Sequence, residues 1–176
     1  EINDKIWKFK NAAFYNNDIQ ILPTQKITAN DPLYITRIEG VYIDNQRINE
    51  EEAEHVLHLL NQIAPKEDGK FPSIGIVCMT KEQRNLISYF IEQIKSRKIA
   101  GNERIMHLEQ SGLHVHYYRD VQDYHFEVMM VSTTYAMNVK DQFTDDVLEM
   151  NELEGLQGLN TLIAAASQKI QLVTSI

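Results

Sequence analysis

The sequence lacks what several functions require. Its 176 residues include one cysteine, Cys78, so no intramolecular disulfide can form. A reducing, cytoplasmic setting is therefore the expectation, and a chain of this length can bury a sufficient core without staples. Glycines number only seven, and neither G-x-x-x-x-G-K-[ST] nor G-x-G-x-x-G occurs. Without such a loop there is no nest of backbone N–H groups to cradle a triphosphate, which argues strongly against an autonomous ATPase or dinucleotide enzyme. No apolar run approaches the ~18 residues of a membrane span. The opening EINDKIWKFK has no basic-then-apolar leader pattern, so no membrane partner is expected. The chain opens on Glu1 and closes on an apolar strand, which reads as a piece excised from a larger protein.

Positive charge is also scarce: 17 Lys and Arg stand against 25 Asp and Glu, for a net charge of −8. Phosphate neutralisation dominates nucleic-acid affinity, so tight binding of nucleic acid by this chain alone is not expected. The charge is unevenly spread. Lys66 to Arg104 holds eight basic and five acidic residues, whereas Asp120 to Glu154 holds nine acidic and one basic. Solvated helix faces explain such runs most simply. The acidic loop 137–154 makes a poor DNA-facing surface; it fits a basic protein partner or a purely solubilising role equally well.

What is present is a regular alternation of strand-like and helix-like segments. Ile2, Ile6, Phe9 and Ala13 share one face of a helix predicted over Ile2–Tyr15, which YNND ends; Ile19–Asp31 is irregular. Leu33–Ile43 alternates as a strand, with Gly40 as a bend or bulge. Asn49 caps a helix with acids in its first turn and the stripe Ala53, Val56, Leu57, Leu60, Ile63. SIGIVCM (73–79) is a continuous apolar run, the mark of a buried parallel strand. Thr80 and Gln83 form a capping-box pattern before a helix with the stripe Leu86, Ile87, Phe90, Ile91, Ile94. AGNERIMHLEQSG reads as a connection. LHVHYY and FEVMMVSTTY are two more strands, a short helix is predicted over Val147–Leu153, and a neutral, alanine-rich helix precedes the last strand, KIQLVTS. Strands alternating with helices predict an α/β fold with a mainly parallel sheet of five or six strands.

Few constellations carry chemistry. His114 and His116 are two apart on a strand and point to one face; with His107 or His125 they could ligate a metal, but a polar strand face opposite Leu113, Val115 and Tyr117 is the simpler account. Cys78 lies inside an apolar strand and reads as a buried, inert thiol. Trp7 and the tyrosines are scattered and do not interleave with basic residues as a base-stacking platform would.

Three blocks in fixed order resemble superfamily 1 helicases. SIGIVCMTKEQRNLI resembles the strand and helix that open the core of their second RecA-like domain. DVQDYHFEVMMVSTTYA resembles motif V, usually V-Q-G-D-E-R-D-V before an apolar strand. GLNTLIAAASQKIQLVTSI resembles motif VI, usually R-L-N-V-A-x-[ST]-R-A before a strand. FKNAAFY and GVYIDNQRINEEEAEHVLHLL are similar to the segments that precede these blocks in large bacterial helicase-related proteins. The resemblance implies a RecA-like three-layer sandwich, helices on both faces of a mainly parallel sheet, without its own P-loop. It implies one domain over 1–176, with 1–32 a helical and irregular lead-in and 33–176 the core.

By motif position, Gln83, Arg84, Gln122 and Asn160 are the candidates for a nucleotide or nucleic-acid cleft. The departures carry more information. Asp123, Tyr124 and His125 stand where the family has Gly-Asp-Glu. Gly158 replaces the first motif VI arginine, Ala164 the Ser or Thr, and Ala165 the arginine that reaches the γ-phosphate. Such an arginine stabilises the phosphoryl-transfer transition state, and alanine has neither donor nor charge. Neither Lys169 nor Arg84 obviously takes its place. No catalytic or metal-binding residue is assigned, and no cofactor is expected in this chain; ATP and Mg2+ enter only if the parent protein is active. The expected function is a non-catalytic structural or interaction module of a larger DNA helicase-like protein, partnered by an upstream RecA-like domain and meeting nucleic acid only through the parent. The alternatives are a working second motor domain whose P-loop lies upstream, or an unrelated small α/β enzyme with a histidine metal site.

Overall fold

In the computed structural model, which describes residues 6, 8, 9, 12, 13, 32–143 and 153–176, the two most apolar segments form the centre of one sheet. β2 (Ile74–Cys78) is buried at all its positions. It pairs in parallel with β3 (Leu113–Tyr117) on one side and β4 (Phe126–Ser132) on the other. β4 pairs with β5 (Ala166–Thr174), and β5 with β1 (Leu33–Arg37), again in parallel. The order is β1-β5-β4-β2-β3, so β2 and β4 are covered on both edges and both faces, which is why they read as unbroken apolar runs.

Side chains alternate across the sheet with period two. Ile74, Ile76, Cys78, Val128 and Met130 join one core, under α1 (Glu50–Gln62), α2 (Lys81–Arg97) and α3 (Asn102–Gln110). Val77, Met129, Val131 and Ile170 join the other, with Leu162, Ile163 and Ala165 of α4 (Leu153–Ala165) and with Ile6. The three-layer, mainly parallel α/β arrangement expected from the sequence is therefore what the structure shows. No described helix is long and apolar enough to cross a membrane.

The two predicted N-caps form, but the capping box is only half made, because the Gln83 side chain turns to Asn49 and Ser132 instead of back to the Thr80 N–H. The Asn49 side chain accepts from the Glu52 N–H at 3.0 Å, and Thr80 Oγ1 accepts from the Gln83 N–H at 3.1 Å. Several expectations are corrected. α3 occupies the stretch expected to be a connection. It is nine residues long, starts from Gly101 with no side-chain cap, and buries only Ile105 and Leu108, so its periodic signal is weak. β1 ends at Arg37 rather than Ile43, because Gly40 has left the sheet for the tight contact described below. β3 stops one residue early, where Tyr118–Asp120 turns into a 3-10 helix, and β4 ends at Ser132. The last strand begins at Ala166, three residues sooner than predicted. In α1 it is Leu59 that is buried, with Leu57 only half-buried. Residues 6, 8, 9, 12 and 13 are helical, but Phe9 and Ala13 are exposed and only Ile6 packs inward. The helix predicted over Val147–Leu153 lies outside the described residues apart from Leu153, where α4 begins, and the irregular stretch 19–31 lies wholly outside them.

Candidate functional site

In an open parallel sheet, ligands sit beyond the carboxyl ends of the strands where the chain reverses direction across the sheet. Here β2 connects outward to β3 while β4 connects the other way to β5, so that crevice lies between β2 and β4. The protein's own side chains fill it. Glu52, from the first turn of α1, is fully buried. Its Oε2 accepts from Ser132 Oγ and the Thr134 N–H, both at 2.7 Å. Its Oε1 accepts from Ser175 Oγ at 3.0 Å and Thr133 Oγ1 at 3.1 Å. Burial drives the Glu52 pKa above its ordinary value of 4.5, against the opposing pull of these four hydrogen bonds.

Gln83 completes the plug. Its Oε1 accepts from the Asn49 N–H at 2.9 Å, and its Nε2 donates to the Asn49 carbonyl at 2.8 Å and to Ser132 Oγ at 3.1 Å. Asn49 Nδ2 in turn donates to Ser175 Oγ at 3.0 Å. A Cβ on Gly40 would lie 2.6 Å from both Asn49 Oδ1 and Ser175 Oγ, so only glycine lets this loop close over the cluster. Gln83, a cleft candidate by motif position, is thus 0% exposed with its amide fully used. Arg84, next to it, is half-buried, with an Nε that has no hydrogen-bond partner among the described residues. Cys78 is fully buried; desolvation first, and the nearby Glu52 charge second, push its thiol pKa far up, as expected of an inert thiol.

The remaining candidates lie on the opposite face, where α4 crosses the segment between β3 and β4. Gln122, Gly158 and Asn160 line one shallow depression together with Tyr118, Arg119 and Thr161. Gly158 meets Tyr118 there: a Cβ would stand 2.8 Å from the ring. The space that a longer side chain would need at 158 is taken by an aromatic ring, itself only 2% exposed. Ala165 is 3% exposed and belongs to the apolar core with Leu162 and Ala166; Ala164 is half-buried. No side chain at 158, 164 or 165 can donate to a phosphate or carry charge. Lys169 lies 4.5 Å from the centre of the Tyr34 ring, and partial burial lowers its pKa.

Asp123, Tyr124 and His125 are exposed. Tyr124 stacks with Phe126 and sits 4.1 Å from the His116 ring, and the His114 and His116 rings are 5.9 Å apart in the same aromatic group. His107 is elsewhere, stacked on Phe71. Among the described residues, no three His, Cys, Asp or Glu side chains are placed to hold a metal ion. Sequence reasoning misses Glu52, Ser132 and Ser175. The acid reads as a partner for the helix dipole, and its hydroxyl partners lie 80 and 123 residues away.

Over 168 residues the chain is 27% identical to a Mycoplasma genitalium protein described as an uncharacterized ATP-dependent helicase, MG140, and equally to its Mycoplasma pneumoniae homologue. The match covers 93% of this chain but only 14% of either relative's length. The chain is also similar to a solved C-terminal domain of a possible DNA helicase from Lactobacillus plantarum, with 14% identity, a TM-score of 0.49, and coverage of 99% of this chain and 86% of that one. No protein-family model matches. The two sequence matches support a helicase-related domain.

Proposed function

We propose that this chain is the second RecA-like domain of a larger superfamily 1 helicase-related polypeptide and serves there as a non-catalytic structural or interaction module, in a cytoplasmic setting. One observation carries the reading. Ala165, at the position where the resemblance implies a γ-phosphate-contacting arginine, is packed into the apolar core at 3% exposure. A guanidinium there would have to be buried without a partner, which costs several kcal/mol. The contact of Gly158 with Tyr118 supports the same reading. In this view 1–176 is one domain, 1–32 leads into it, and an upstream RecA-like domain of the same polypeptide is its partner.

The 27% identity to proteins described as ATP-dependent helicases favours a second reading. There the chain is half of a working motor, and ATP and Mg2+ bind between it and an upstream domain that supplies the P-loop. Nucleic acid then meets the parent rather than this chain alone.

Titration of the 176-residue chain with a fluorescent ATP analogue and Mg2+ tests the first reading. No saturable binding is expected. Saturable binding that Asn160→Ala removes from a still-folded protein would overturn it.

A further inference from the structure

At the amino end of the sheet, opposite the buried Glu52 cluster, two depressions meet at one ridge. The first lies where α2 hands over to α3 and is lined by Lys98 and Arg104 with Glu103; the second lies beside the start of β2 and is lined by Lys66 and Lys70 with Glu127. Phe71 and His107 line both, and their rings stack with centroids 6.1 Å apart. The Arg104 guanidinium lies 5.4 Å from the Phe71 ring centre and donates to the Ile63 carbonyl. Lys66 is held by Glu127 at 3.0 Å. Lys70 and Lys98 are exposed, and among the described residues no ion pair engages either. The ridge is therefore braced, while one cation in each lobe is uncommitted.

Four of the eight basic residues of Lys66–Arg104 line this groove against two acids, Glu103 and Glu127, on a chain whose net charge is −8. A local positive groove on an acidic molecule focuses attraction on short anionic partners. We propose that the two-lobed groove docks an acidic peptide segment of a protein partner. A carboxylate enters each lobe beside Lys98 and Lys70, and an apolar side chain crosses the Phe71–His107 ridge. A single-stranded nucleic acid fits less well. Base stacking needs an open ring face, and Phe71 already carries His107 and Arg104. The proposal stands whether or not the domain is catalytic.

Fluorescence anisotropy tests it, with a fluorescein-labelled glutamate/leucine peptide, its glutamine/leucine counterpart, and oligothymidylate of matched net charge. The expected result is saturable binding of the glutamate peptide that weakens with added salt, and none for the glutamine peptide. The double variant Lys70→Glu, Lys98→Glu should lose at least about tenfold in affinity, equivalent to ~1.4 kcal/mol, with its thermal midpoint unchanged. Lys140→Glu, at the far end of the sheet, should bind as the original does. Failure of the glutamate peptide to saturate, equal binding by the double variant, or tighter binding of oligothymidylate would each overturn the proposal.

Discussion

Two regions of this domain treat polar residues in opposite ways. Beyond the carboxyl ends of β2 and β4, a carboxylate, two amides and several hydroxyls are buried together, and each is tied to another by bonds of 2.7–3.1 Å. On α4, at positions where the helicase resemblance implies charge and hydroxyl, stand Gly158, Ala164 and Ala165. Polar groups join α1, α2, β4 and β5 to one another in the first region, and on the proposed reading their absence from the second marks a face that no longer contacts a phosphate. The proposed reading takes this difference as the line between what the fold needs and what hydrolysis would need.

The comparison breaks most readily at Glu52. Glu52→Ala strands the Thr134 N–H and three hydroxyls in the interior and should cost about 3 kcal/mol in denaturant unfolding. A loss below about 1 kcal/mol would mean the cluster is not a structural post. Ala165→Arg comes next. Forcing a guanidinium into the packed core should cost about 2 kcal/mol or more. If this substitution left stability unchanged, the position would be open to a phosphate after all. Gly158→Ala is subtler. Alanine gains about 1 kcal/mol of helix propensity over glycine, yet the 2.8 Å approach to Tyr118 should turn this gain into a net loss. A stabilised variant would remove the packing reason for Gly158.

The smallest effect is in pH dependence, and it has opposite signs at two glutamates. The folded-state pKa of Glu52 is raised. Its favourable contribution is complete below the unfolded value near 4.5 and is lost as pH rises through the folded value. Glu127 is the reverse. Burial pushes it up, but the Ser73 N–H, Lys66 and Gln168 together hold it below its ordinary value. Its contribution is present above its unfolded pKa and lost as pH falls through the folded one. Glu52→Gln should therefore lose ground to the original protein as pH falls from neutral, and Glu127→Gln should gain. Unfolding midpoints across acidic pH check this; slopes of one sign for both variants would contradict it.

Much of the frame was legible in the sequence, for physical reasons. SIGIVCM and FEVMM read as central strands because strands covered on both faces must be apolar throughout. Asn49 and Thr80 read as caps because an unpaired helix amine end calls for a side-chain oxygen nearby. The short α3 was not legible, since two buried residues on nine do not make a period. The Glu52 cluster was invisible because one acid in the first turn of a helix is ordinary, and its partners come from the ends of β4 and β5. By resemblance, Gly158 reads as standing where a motif VI arginine is usual. Its contact with Tyr118, forty residues earlier, emerges only when α4 is laid against the turn after β3.

The most direct test of the non-catalytic reading is nucleic-acid-stimulated ATP hydrolysis by the parent polypeptide, measured with this domain intact and with Gln122→Ala and Asn160→Ala together. The account predicts no hydrolysis that depends on these residues: either none is detected, or the rate is the same in both proteins. Hydrolysis abolished by the double substitution in a parent that still folds would contradict it.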